Sequence, residues 1–202
     1  MKDINTQIKE CKEKLLHSGV ICFPTETVMG LAVIYNDFNA YQKLNIVKNR
    51  PEDKPYTMMV KSIEDISKYA YVDEKISRLI HKYMPGSLTL LLKAKDNVPG
   101  YVIHNTGIIG IRIPSNEVAL KLLKEVDIPL LVPSANKSGC KPCYNSQEAK
   151  EVFNNELDYI IEGESISNVP STIVDVTKAN PLIIREGKIT KEEIFACFNN
   201  KN

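Results

Sequence analysis

The stretch VICFPTETVMGLAVI, Val20 to Ile34, holds two apolar runs, Val20–Phe23 and Leu31–Ile34. Each run reads as a buried strand. A crossover between parallel neighbours takes about a dozen residues or more, and the segment from Pro24 to Gly30 is shorter than that. Strand pairs this close predict a mixed sheet rather than an all-parallel one. Pro24 ends the first strand. The loop then carries Thr25, Glu26 and Thr27 where Gly, Asn, Asp and Ser are usual. Thr25 suits the turn itself. Glu26 has two readings, a salt bridge to a basic neighbour or a catalytic carboxylate.

Outward from this pair, helices and strands alternate. Asn5 to Ser18 places Ile8, Cys11, Leu15 and Leu16 on one helical stripe, and Gly19 suits its stop. Asn39 to Asn49 is a second helix, ending before Pro51. Tyr56 to Val60 is strand-like. Two helices follow, each opening at a capping residue, Ser62 and Asp73. Strands are predicted from Leu88, over Ile108–Ile113 and over Leu130–Val132, with a helix over Asn116–Val126. A helix from Ser146 to Phe153 leads to strands at Leu157–Ile161, Thr172–Val176 and Leu182–Arg185. Ile189–Phe198 is the closing helix. The fold class is α/β, a twisted mixed open sheet flanked by helices. Without a low-complexity linker or repeat, one domain is expected over residues 1–202.

The bulk numbers exclude several classes. Hydrophobic residues make up 43% and charged residues 25% of 202, so the chain is neither disordered nor membranous. No apolar run approaches the roughly 20 residues of a spanning helix. The acid-containing N-terminus does not suit a secretory signal. A net charge of +1 does not demand a polyanionic partner. Five cysteines, an odd count, fit a reducing cytoplasm.

Phosphate and dinucleotide fingerprints, G-x-x-x-x-G-K-[ST] and G-x-G-x-x-G, are absent. His17, His81 and His104 are widely spaced and read as surface residues. Cys140-Lys141-Pro142-Cys143 has redox spacing, but it follows a loop rather than opening a helix, and a lone pair is a poor zinc site. Three polar clusters remain beside apolar strands: Thr25-Glu26-Thr27, the cations Lys48, Arg50 and Lys54, and the loop Pro133 to Gly139. The cations fit either a solvated helix end or a polyphosphate cradle. The small hydroxylic loop lets backbone N–H groups approach an anion. Arg112 sits between Ile111 and Ile113, where a guanidinium is costly unless paired. Its partner is either an anionic ligand or a strand-end carboxylate.

In order along the chain, FPTETVMGLAV, KNRPEDKP, PGSLTLLL, IGIRIP, VPSANKSGCKP, PSTIVDVT and LIIREGKI resemble the YrdC/TsaC family, covering Val20 to Ile189. The resemblance implies a single YrdC-like domain over about residues 8–195 with a concave basic face. It implies a nucleotidyltransferase, a threonylcarbamoyl-AMP synthase, consuming L-threonine, bicarbonate and ATP for tRNA modification, with no tightly bound cofactor. Mg2+ arrives with ATP, since no carboxylate cage is visible. Threonine binding falls to Thr27, Arg112, Ser171 and Val132. ATP binding falls to Arg50, Lys54, Ser134, Asn136, Pro142 and Arg185, with Lys48 and Arg50 as the catalytic cations. Arg112 is expected to fork onto the threonine carboxylate, and Gly30 to bring its strand close to the ligand. Downstream threonylcarbamoyl-transferase proteins and tRNA are the implied partners. The other reading is a non-catalytic module for tRNA or double-stranded RNA, as some paralogues lack the activity. Met29, Ala32, Met59, Ile108 and Ser87 depart from the family's usual residues.

Overall fold

Helices begin where a capping side chain precedes an apolar stripe. In the computed structural model, which describes residues 2–49 and 55–199, Asp3 caps α1 (Ile4–Leu16) by accepting from the Asn5 amide at 2.9 Å. Asp37 does the same for α2 (Phe38–Lys48). The two capping residues expected from sequence open α3 (Ile63–Tyr69) and α4 (Glu74–Tyr83): Ser62 accepts from Asp65 and Asp73 from Ile76. Asn116 caps α6 (Glu117–Val126) and Asn145 caps α7 (Ser146–Phe153). The closing helix is α8 (Lys191–Asn199). One helix was not expected: α5 (Gly100–Ile103), four residues long with no side-chain cap. Too short for a periodic stripe, it leaves nothing in the pattern to read.

The strands are β1 (Ile21–Phe23), β2 (Gly30–Ile34), β3 (Thr57–Met59), β4 (Leu88–Lys93), β5 (Ile108–Arg112), β6 (Leu130–Leu131), β7 (Tyr159–Ile160), β8 (Thr172–Asp175) and β9 (Leu182–Arg185). Among the described residues they form one sheet in the order β7-β1-β2-β6-β3-β5-β4-β8-β9. It is mixed: β1/β7, β3/β5 and β4/β8 run parallel, and the other neighbours antiparallel. The opening pair, β1 and β2, is antiparallel with Ile21 opposite Ala32. β7 covers only part of the expected Leu157–Ile161 run.

Period-two alternation sorts side chains between the two faces. On one face Ile109, Ile111 and Ile113 join Leu44 of α2, Leu79 of α4, Phe153 of α7 and Phe198 of α8 in the main core. On the other, Ile8 and Leu15 of α1 and Leu122 and Leu123 of α6 pack on Ile21, Ala32, Met59 and Leu130. Burying such aliphatic side chains is worth about 1.5–3 kcal/mol each. α1 and α6 cover this second face over β7, β1, β2, β6 and β3. Over β5, β4, β8 and β9 it is left open, and there the polar residues gather.

Candidate functional site

The open face carries a cleft of about 230 Å³. Strand register builds its floor. Met59 pairs with Arg112 across β3 and β5, Thr89 pairs with Ile173 across β4 and β8, and Ile173 pairs with Arg185 across β8 and β9. All five line the cleft. The walls come from the loops: Thr27 and Val28 after β1, Val132 to Ser134 after β6, then Pro142, Pro170 and Ser171. Seven residues expected at the site from sequence therefore meet there: Thr27, Arg112, Val132, Ser134, Pro142, Ser171 and Arg185. Arg50 and Lys54 lie outside the described residues.

The opening loop explains the position of Thr27. Thr25 Oγ1 donates to the Val28 carbonyl at 2.7 Å and accepts from the Thr27 amide at 3.1 Å, closing a tight turn. Thr25 and Thr27 hydroxyls also bond each other at 3.0 Å. Gly30 permits a close approach: a Cβ there would sit 2.8 Å from Cγ1 of Val132, which lines the cleft. Met29 is fully buried in the main core and does not face the cleft.

Arg112 is only 5% exposed and is held on three sides. Its Nη2 donates to Glu26 Oε1 at 2.5 Å, Nη1 and Nη2 both donate to Thr27 Oγ1 at 3.2 Å, and Nε donates to the Gly86 carbonyl at 3.1 Å. The sequence left a ligand and a strand-end carboxylate as alternatives. A carboxylate partner is present, contributed by the β1–β2 loop. Among the described residues these contacts use four of the five N–H donors of a guanidinium. A two-pronged grip on a ligand carboxylate would require Thr27 or Glu26 to let go, so the expected fork is reduced to one free N–H and a nearby charge.

Ser171 is the second hub. Its hydroxyl bonds Thr89 Oγ1 at 2.9 Å and accepts from Arg185 Nη2 at 3.2 Å, while its carbonyl accepts from Arg185 Nε at 3.0 Å. Arg185 remains exposed at the surface, and partial desolvation, then the nearby positive charge of Arg112, lower its pKa from the usual value. Two guanidinium groups thus share one small cleft.

Lys48 does not line it. The ammonium is buried beneath the Pro133–Gly139 loop, where it donates to the Ser134 carbonyl at 2.6 Å, the Asn136 carbonyl at 2.8 Å and Asn136 Oδ1 at 3.0 Å. Ser138 N returns a bond to the Lys48 carbonyl at 2.8 Å. Asn136 is likewise turned inward, donating to the carbonyls of Lys137 and Cys140. These two residues shape the loop from below, a role that charge and spacing alone do not reveal. Lys48→Met is expected to lower unfolding stability by about 3 kcal/mol, because buried carbonyls lose their donor. Urea unfolding checks it: an unchanged midpoint would mean that the ammonium does not hold the loop.

The cysteine pair is split. Cys140 is exposed and Cys143 buried, and burial pushes the Cys143 thiol up to about 11, opposite to the shift a redox pair needs. Among the described residues no three His, Cys, Asp or Glu side chains converge as metal ligands. Nor is any helix there long and apolar enough to cross a membrane.

Comparison with known proteins places this geometry in context. The Sua5/YciO/YrdC family model, described as "Telomere recombination", matches residues 13–187. The threonylcarbamoyl-AMP synthase of Pyrococcus abyssi (strain GE5 / Orsay) is 34% identical over 177 residues, which are 87% of this chain and 52% of that protein. The chain thus spans about half the length of that relative. The structure of P. abyssi Sua5 complexed with L-threonine matches with a TM-score of 0.93 at 30% identity, covering 98% of this chain and 59% of the other. The crystal structure of Escherichia coli YciO matches at 0.87 and 28% identity over 96% and 95% of the two chains.

Proposed function

The chain belongs to the Sua5/YciO/YrdC family, and on that premise we propose that it makes threonylcarbamoyl-AMP and pyrophosphate from L-threonine, bicarbonate and ATP. The observation that carries this reading is the half-open sheet face, where Arg112 and Arg185 line one cleft with the hydroxyls of Thr27, Thr89, Ser134 and Ser171. The likeness to a relative whose structure holds L-threonine supports the choice of amino acid.

The chemistry needs charge neutralisation and alignment more than a protein nucleophile. The threonine amine adds to the carbon of bicarbonate-derived CO2, losing a proton and giving an N-carboxylate. One oxygen of that carboxylate attacks the α-phosphorus of ATP. The bond from the α-phosphorus to the bridging oxygen breaks, and pyrophosphate leaves with the electron pair. Thr27, Arg112, Ser171 and Val132 take the threonine side. Ser134, Pro142 and Arg185 take the nucleotide side, with Lys48 and Asn136 fixing the loop beneath. Arg50 and Lys54 are assigned to the triphosphate, and Mg2+ enters as part of the ATP substrate. In this reading about residues 8–195 act as one cytoplasmic domain, and transferase proteins use the product to modify tRNA.

Purified protein is expected to release pyrophosphate from ATP only when both L-threonine and bicarbonate are present. Absence of that turnover under conditions where a known relative works sinks the proposal. Salt-dependent tRNA binding without ATP binding would favour the RNA-binding module instead.

A further inference from the structure

The two arginines of the cleft are electrostatically unequal. Arg112 is paired with Glu26, and both side chains are only 6% exposed. Arg185 has no carboxylate within salt-bridge distance among the described residues; its contacts are to the neutral Ser171. One end of the floor is therefore a near-neutral ion pair and the other a net cation. Glu26 itself does not line the substrate cleft. It reaches Arg112 from behind and lines a separate groove of about 460 Å³ with Gly86 and Ser87. Its second oxygen, Oε2, is buried with no partner among the described residues, so Arg112 is the only cation paired with this carboxylate there. Glu26 therefore makes no contact with the cleft itself, and its charge lies directly behind the Arg112 guanidinium.

Such an arrangement opposes tight anion binding at Arg112. A unit negative charge at 2.5 Å offsets much of the guanidinium field felt by a ligand. A site meant only to attract anions would leave both arginines uncompensated. A site that must hold a zwitterion beside a polyphosphate gains from the inequality: the polyanion is drawn to the uncompensated end, and the amino acid, with no net charge, tolerates the compensated one.

We propose that Glu26 is a specificity-determining residue that sorts the two substrates, by cancelling the charge of Arg112 so that polyphosphate is excluded from the amino-acid end of the cleft. This rests on the synthase reading above. Glu26→Gln removes the charge while keeping an acceptor for Nη2. Pyrophosphate is the probe. Binding is measured by calorimetry with wild-type, Glu26→Gln and Glu26→Asp proteins, with thermal unfolding as the folding control.

Glu26→Gln is expected to bind pyrophosphate about tenfold more tightly, the effect of one partly screened unit charge close by. L-Threonine should displace the added pyrophosphate, and in turnover pyrophosphate should become competitive with threonine. Glu26→Asp, which retains the charge, should behave as wild type even if it is less stable. A purely structural carboxylate would lower stability without changing which ligand competes with which. The proposal is overturned if Glu26→Gln gains no pyrophosphate affinity, or if threonine does not displace what it gains. Because the binding arm needs no turnover, wild-type protein that fails to release pyrophosphate counts against the synthase reading, whereas altered competition in the variant still reports on the sorting.

Discussion

Arg112→Ala is expected to destabilise the fold by about 3–5 kcal/mol, the range for removing one partner of a buried ion pair. Glu26 would be left charged, buried and without a counter-ion. Thr27 Oγ1 and the Gly86 carbonyl would also lose their donors. For a chain of this size the melting temperature should fall by roughly 10 °C. Threonine-dependent turnover should be lost as well, so stability and activity must be measured on the same preparation. The pair can be separated from its function by replacing both members: Arg112→Met with Glu26→Leu removes both charges together and should recover most of the stability, since apolar replacements of buried pairs are often neutral or better. That double variant should still fail to use threonine. Recovery of turnover along with stability would show that Arg112 serves the fold alone.

The second large effect is expected at Gly187, which lies in the LIIREGKI motif but has no role assigned from sequence. A Cβ at this position would lie 2.2 Å from the Pro170 carbonyl oxygen, 2.7 Å from Thr172 N and 2.8 Å from Ser171 C. All three are backbone atoms, so no side-chain rotation relieves the contact. The glycine amide also donates to Thr172 Oγ1 at 2.9 Å, and that hydroxyl donates to the Ile189 carbonyl at 2.7 Å. Gly187→Ala must therefore push the segment after β9 away from the Pro170–Thr172 segment. The expected loss is about 3 kcal/mol, the upper end for overpacking. It should also separate Arg185 from Ser171 and weaken ATP binding. Glu186→Ala, next door but exposed, should stay within about 0.5 kcal/mol. Denaturant midpoints for the two variants make the comparison, and equal midpoints would refute the close approach.

Much of the fold was legible because it is written in local patterns. Apolar runs marked β1, β2, β4, β5, β8 and β9, and Ser62 and Asp73 marked their helices. The short gap after Phe23 foretold a mixed sheet. The strand order was not legible, because it rests on pairings such as Leu88 with Thr172 and Ile21 with Tyr159, which no local signal encodes. The site divides in the same way. Family motifs pointed to Thr27, Arg112, Ser134, Ser171 and Arg185, and these do converge. Their mutual contacts were out of reach of the pattern. That Glu26 pairs with Arg112 depends on how the β1–β2 loop folds over β5. That Lys48 turns inward depends on the loop after β6 arching over the end of α2. In both cases a charge that looked available for a ligand is engaged by a part of the chain more than 80 residues away.

The cleft floor also ties occupancy to the integrity of the whole chain. Its five side chains come from β3, β4, β5, β8 and β9, spread between residues 57 and 185, so no short run of neighbouring elements contains them all. A nascent or partly unfolded chain has no version of this surface, so it cannot hold a substrate prematurely. Conversely, whatever binds the floor favours only the fully assembled state. A ligand at about a hundred times its dissociation constant would add about 2.7 kcal/mol against global unfolding. Cellular abundance of the protein would then rise and fall with the supply of its own substrates.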